Sequence, residues 1–164
     1  MPELAPGPGW ALVIKSGART CALPLKHVIE TMRPLPVEPI DGTPSFVRGV
    51  SIIRGTPTPV VDLDSVLGTA ATNATRFVTL CLGNGSAEKQ PAKLRQVALS
   101  VSDVIGVRNL TDLEMPDLPP LLSTAANGAV ERIGTLDSGF LVLLRASWEL
   151  PDEIFRALAA RGDN

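Results

Sequence analysis

Ala22-Leu23-Pro24-Leu25-Lys26-His27-Val28-Ile29 and Ala98-Leu99-Ser100-Val101-Ser102-Asp103-Val104-Ile105, 76 residues apart, carry Ala-Leu, a further apolar residue and Val-Ile at the same offsets. Each is followed by a second paired element. After the first come Ile53-Arg54-Gly55, a Pro/Thr turn and Pro59-Val60-Val61-Asp62-Leu63. After the second come Ile133-Gly134, an Asp137-Ser138-Gly139 turn and Phe140-Leu141-Val142-Leu143-Leu144-Arg145. The pattern predicts two copies of one small β unit, residues 10–68 and 76–145, with a cleft between them where binding is expected.

The composition sets the limits of that reading. A chain of 164 residues, 45% of them hydrophobic, fits one domain that buries roughly two thirds of its unfolded surface without a disulfide or metal. The net charge of -2 is spread without runs, which argues against nucleic acid or an anionic membrane as partner. Cys21 and Cys81 sit in apolar runs, as free core cysteines of a reduced, cytoplasmic protein do. Residues 1–9 are rich in Pro and Gly, with neither the basic start nor the apolar stretch of a signal peptide, and are expected to be flexible. The run 140–144 is too short to span a bilayer, so no membrane insertion is expected. Fifteen prolines and fourteen glycines among short apolar runs predict closely spaced turns and an all-β fold.

Along the chain, 10–14 and 20–25 read as an opening hairpin and 27–32 as a third strand. Three prolines in 33–40 lack amide donors, so that stretch is read as an extended surface connection. Residues 46–53 and 60–63 form the next pair across a loop at 55–59, and Asp62 starts one helical turn that Gly68 closes. Residues 69–75 are the seam between halves. The second half repeats the plan with 76–82, 96–101, 104–107, 130–136 and 140–144, a long polar hairpin tip at 83–95 and an irregular stretch at 111–124. Ile154, Phe155, Leu158 and Ala159 fall on one face of a C-terminal helix over 152–161, with Pro151 and Asp152-Glu153 suited to its start.

Catalytic groups are scarce. There is one histidine, no tyrosine and two cysteines 60 positions apart, so no zinc spacing assembles and no metal or cofactor is expected. His27 alternates with Val28 on a strand and reads as solvent-facing rather than as a base. Gly83-Asn84-Gly85 opens onto a polar loop, not a helix N-terminus, and lacks the context of a phosphate cradle. No Gly-x-Ser-x-Gly elbow is present. Arg54 stands out. It ends an apolar strand beside Gly55, where a guanidinium can project while the chain turns away.

Phe46-Val47-Arg48-Gly49-Val50-Ser51-Ile52-Ile53-Arg54-Gly55, followed by Pro59-Val60-Val61-Asp62-Leu63 and Leu67-Gly68, resembles the CheW-like domain of bacterial chemotaxis coupling proteins. The resemblance runs from Trp10 to Leu158 and treats 10–161 as a single domain. It implies two five-stranded SH3-like barrels with a groove between them, and a non-catalytic adaptor standing alone rather than fused to a kinase or receiver. Its implied partners are the regulatory domain of a CheA-type histidine kinase and the cytoplasmic tip of a chemoreceptor. By motif matching, Glu30 and Arg54 are the polar candidates for receptor contact, with Val28, Val50 and Ile52 as apolar surface beside them. The chain departs from the family pattern at Ile52 in place of Asn, and at Ser102 and Arg145 in place of Asp. These departures motivate a second reading, a scaffold for a pilus, gliding or other non-flagellar signalling system. A third reading, an enzyme holding a small molecule in the groove, lacks convergent titratable groups.

Overall fold

The computed structural model describes residues 4–6, 9–70, 73–81, 96–116, 118 and 128–145. The expected C-terminal helix at 152–161 and hairpin tip at 83–95 lie outside them. Among the described residues are twelve strands, one α-helical turn and one 3-10 turn (Leu25–His27): β1 (Leu4–Pro6), β2 (Trp10–Ser16), β3 (Arg19–Pro24), β4 (Val28–Met32), β5 (Val47–Ile53), β6 (Thr56–Asp62), α1 (Leu63–Val66), β7 (Arg76–Cys81), β8 (Gln96–Val101), β9 (Asp103–Asn109), β10 (Glu114–Pro116), β11 (Val130–Leu136) and β12 (Gly139–Leu144). The all-β expectation holds. Two five-stranded sheets form, in the orders β4-β7-β8-β6-β5 and β11-β12-β3-β2-β9.

These sheets do not follow the halves 10–68 and 76–145. Hairpin β2-β3 of the first half sits in a sheet with β9, β11 and β12 of the second, while β7-β8 sits with β4, β5 and β6. The repeated segments are the two crossovers that produce this exchange. Ala22-Leu23 lies in β3 and Val28-Ile29 opens β4 in the other sheet, as Ala98-Leu99 lies in β8 and Val104-Ile105 runs into β9. A hairpin leaves two open edges, and here each half's hairpin is completed by strands from the other half.

The registers superimpose. Val13 faces Ala22 in one sheet as Thr79 faces Ala98 in the other, and β12 runs parallel to β3 as β6 does to β8. Both sheets carry a bulge at Val28/Glu30 or Val13/Ile14, and another at Val47/Gly49 or Val130/Arg132. The shared core repeats accordingly. Leu12, Ile14, Cys21 and Leu23 from one sheet meet Val78, Leu80, Val97 and Leu99 from the other in one cluster, each residue matching its register equivalent. Burial pushes the Cys21 thiol up to about 12, a small core group as its apolar run predicts.

The faces turned away from this shared core form a separate cluster for each barrel. Phe77, Ile53, Val60 and Ala98 fill the first, with Met32 and Val37 against them. The second has Ala11 where the first has Phe77, and Leu110 and Met115 supply the missing volume. Gly134 is part of that fit, since a Cβ there would meet Met115 Cε at 3.2 Å.

Each sheet stays open but is clasped. Arg54 in the β5-β6 turn reaches Glu30 on β4, at the opposite edge, at 2.7 Å. Asp137, its register equivalent in the β11-β12 turn, reaches Arg108 on β9 at 2.6 Å. The polarity of the clasp is reversed between barrels.

Two local expectations are corrected. Residues 55–59 are not a loop, because Arg54 (φ 50°) and Gly55 (φ 79°) make a two-residue turn and β6 begins at Thr56. Pro57 and Pro59 are tolerated in β6 because its pairing with β8 starts only at Val60, so no ladder there needs their amides. His27 is not on a strand but in a 3-10 turn, Leu25–His27, half-buried between β3 and β4. Within the N-terminal 1–9 segment, Leu4–Pro6 pairs antiparallel with Glu114–Pro116.

Candidate functional site

The site grows from the β5-β6 turn. A two-residue turn with both central φ values positive normally takes Asn-Gly or Gly-Gly, and Arg54 holds the first of those positions at a conformational cost. The Arg54 side chain then extends across the barrel mouth and binds Glu30 bidentately, Nε to Oε1 at 2.8 Å and Nη2 to Oε2 at 2.7 Å. Such fork-on-fork geometry fixes both groups better than a lysine would. The pair lies at the surface, with side-chain exposures of 78% for Arg54 and 25% for Glu30.

Glu30 is itself fixed from below. Its amide donates to Thr79 Oγ1 at 3.1 Å, and the neighbouring bulge turns Ile29 outward, leaving it exposed. Ile52, two residues before Arg54 and opposite Pro57, is 60% exposed. Val28 is half-buried against the shared core. Val50 does not match its expected place on the surface. It is 5% exposed, because residue 38 of the proline-rich connection covers it, with Glu38 N to Val50 O and Val50 N to Glu38 O both at 2.8 Å.

Thus Glu30 and Arg54 are brought together, Ile52 and Ile29 flank them in the chain, and Val50 belongs to the floor. Ile29 escaped the sequence reading, although its exposed register equivalent Ile105 closes the second copy of the repeat. The clasp Arg108–Asp137 escaped it too. Asp62, in the Pro-Val-Val-Asp-Leu motif, is structural: it is buried, its amide donates to Phe46 O at 2.8 Å and its Oδ2 accepts from Ser65 at 2.7 Å.

The departures from the family pattern have distinct settings. Ile52 leaves no side-chain hydrogen-bonding group at that position beside Arg54, whose guanidinium donates through Nε and Nη2 to Glu30. Ser102 Oγ accepts the Gly17 amide at 2.8 Å, tying the β2-β3 turn to the second crossover. Arg145 is exposed and its amide donates to Ala129 O at 2.6 Å.

The Arg54 hydrogen bond holds the Glu30 carboxyl below the 4.5 usual for glutamate. A carboxyl lowered in the folded state stabilises it above the unfolded value, and that contribution is lost as pH falls through the lowered folded value. A carboxyl-detected NMR titration is therefore expected to place the Glu30 midpoint below 4.5 in the parent and to return it towards 4.5 in Arg54→Ala. An unchanged midpoint in the variant means that the pair is not formed in solution. Burial, with Lys26 beside it, moves His27 below the usual histidine value as well.

No group of three or more His, Cys, Asp or Glu that could hold a metal ion occurs among the described residues. No helix among them is long and apolar enough to cross a membrane. Two like-folded, cross-completed five-stranded sheets, each clasped across its open edges by an ion pair, define a duplicated β domain. The chain belongs to the CheW-like domain family, whose family model matches residues 11–148. Among solved structures it is similar to the scaffolding protein TtCheW from Thermoanaerobacter tengcongensis, at 21% identity over 88% of this chain and 90% of that one, with a TM-score of 0.65. That likeness is one of fold. No curated protein matches the sequence.

Proposed function

We propose that this protein is a non-catalytic cytoplasmic adaptor that couples the cytoplasmic tip of a chemoreceptor to the regulatory domain of a CheA-type histidine kinase. The observation that carries the reading is the surface Glu30–Arg54 pair, held in fixed geometry beside exposed Ile52 at the positions where the family motif falls. A preorganised charged fork next to an apolar side chain suits a helical partner surface, because little ordering entropy remains to be lost on docking. Val28 and Val50 support that surface from beneath. Adaptor contacts of this type can be small and weak singly, and gain from avidity in an array.

Calorimetry with a cognate kinase regulatory domain and with a receptor-tip fragment tests the proposal. Binding of both is expected, and no binding of either at tens of micromolar to well-folded protein sinks it. Arg54→Ala is expected to weaken the receptor contact by about 30-fold, the loss typical of a central arginine anchor. Because the pair is at the surface, thermal unfolding of that variant should overlay the parent's. A large fall in thermal stability with receptor binding intact would make Arg54 structural instead. Ile52, Ser102 and Arg145 favour a second reading, the same coupling role in a pilus, gliding or other non-flagellar system. Receptors of that system would bind more tightly than flagellar ones, and Ile52→Asn would narrow the difference.

A further inference from the structure

The second barrel carries a cavity of ≈ 900 Å³, within the size range of sites that hold small organic ligands. Its walls are apolar, formed by Val13, Ile105, Ile133, Leu136, Phe140 and Val142. Its charged groups are Lys15, Arg19 and Arg108 against Asp137 alone. Asp137 is committed to Arg108 at 2.6 Å. Lys15 and Arg19 have only neutral acceptors, Nζ to Thr20 Oγ1 at 2.9 Å and Nη1 to Leu67 O at 3.3 Å. Asp103, opposite Lys15 in the register, accepts instead from the Val104 amide at 2.8 Å. Two cations at an apolar cavity thus stand without a carboxylate among the described residues.

The repeat shows that the fold does not require a cation at position 15 or at position 108. The register equivalents of Lys15 and Arg108 in the first barrel are Cys81 and Met32, both uncharged. Phe140, the equivalent of Pro57, is 78% exposed while still lining the cavity. With Ile105, 55% exposed and also lining the cavity, Phe140 leaves apolar surface in water beside the hollow, and such shared exposed apolar surface is a mark of binding sites. We propose that this cavity binds a small amphipathic monoanion, a carboxylate on an apolar body such as a medium-chain or aryl carboxylic acid. Its head group is held by Lys15 and Arg19, and its body lies against Ile105, Ile133 and Phe140. A nucleotide is a poor match for such walls, and an uncharged oil leaves both cations unused. The site is on the barrel opposite Glu30 and Arg54, so its failure leaves the adaptor reading untouched.

Isothermal titration of the full chain with octanoate, using 1-octanol as the uncharged match, tests the proposal. Octanoate is expected to bind one to one and at least about tenfold more tightly than octanol. In Lys15→Gln/Arg19→Gln that preference should vanish, while Phe140→Ser, at an exposed position, should weaken both ligands. Equal binding of the two ligands by the parent, or octanoate affinity unchanged in either variant, overturns the proposal. So does absence of octanoate binding at millimolar concentration. If octanoate fails and kinase-domain binding is lost in the double variant, the cavity is a protein docking surface instead.

Discussion

Gly49→Ala is expected to destabilise the protein by about 4 kcal/mol and to lower its thermal midpoint by at least about 8 °C. Two effects combine. At φ 144° the backbone of residue 49 is in a region that side chains other than glycine's rarely enter, which alone costs about 1–3 kcal/mol. The added Cβ would also sit 2.1 Å from Glu38 O and 2.8 Å from Pro39 Cα, and these are backbone atoms that cannot rotate away. The connection at 33–40 would have to lift, breaking both Glu38–Val50 hydrogen bonds and withdrawing Val37 from the Phe77 cluster. The bulge that places Gly49 here recurs at Arg132 in the other sheet, where the side chain donates to Met115 O at 3.0 Å instead. Gly42→Ala is the control. It too has positive φ (79°), but nothing lies within 4 Å of its added Cβ, so about 1 kcal/mol is expected. Urea unfolding of the two variants decides the matter: equal losses would mean that Gly49 serves only its dihedral angle.

Gly49 also illustrates what the sequence discloses. Its place in the Phe-x-x-Gly-Val motif was legible, but its reason, a second backbone 2.1 Å from where a Cβ would be, depends on residues 38 and 39 folding over the bulge. Short apolar strands bounded by turn or polar residues, such as Gln96–Val101 and Val130–Leu136, were placed within a residue or two because local composition decides them. The exchange of strands between halves was not, because the same apolar faces satisfy either pairing and only the long-range register selects one. Leu4–Pro6 and Glu114–Pro116 escaped for a related reason: a three-residue strand has too short a period to read. In the candidate site, Glu30 and Arg54 were singled out through their motif positions, whereas their mutual contact, 24 residues apart, follows from the fold that brings the two sheet edges together. The clasp Arg108–Asp137 was hidden because its charges are reversed, so a search for repeated residue identities passes over a repeated role.

Phe77→Ala is the complementary prediction, with an expected loss of about 3–5 kcal/mol. Phe77 is fully buried, and with Ile53, Val60 and Ala98 it forms the buried cluster on the face of the first barrel turned away from the shared core, with Met32 and Val37 packed against it. How much such a truncation costs depends on whether the surroundings can collapse into the space. Here Val37 is carried by a segment pinned at Ser51 Oγ to Pro36 O (2.9 Å) and at both Glu38–Val50 bonds, so it cannot follow. The value should therefore fall in the upper part of that range. The second barrel shows what the same position needs when it is small: Ala11 is accommodated only because Leu110 and Met115 enter from the 110–116 segment. Nothing equivalent enters this cluster from 33–40, where Val37 is the one apolar side chain packed against it and Ile40 packs against the shared core instead. Since Ile53 lies in this cluster and precedes Arg54, the cavity should also loosen the clasp and move the Glu30 midpoint towards 4.5 in folded protein. Thermal unfolding together with the carboxyl titration reads both effects. A loss under about 1 kcal/mol would show that the connection does collapse and that the barrel mouth is not rigidly held.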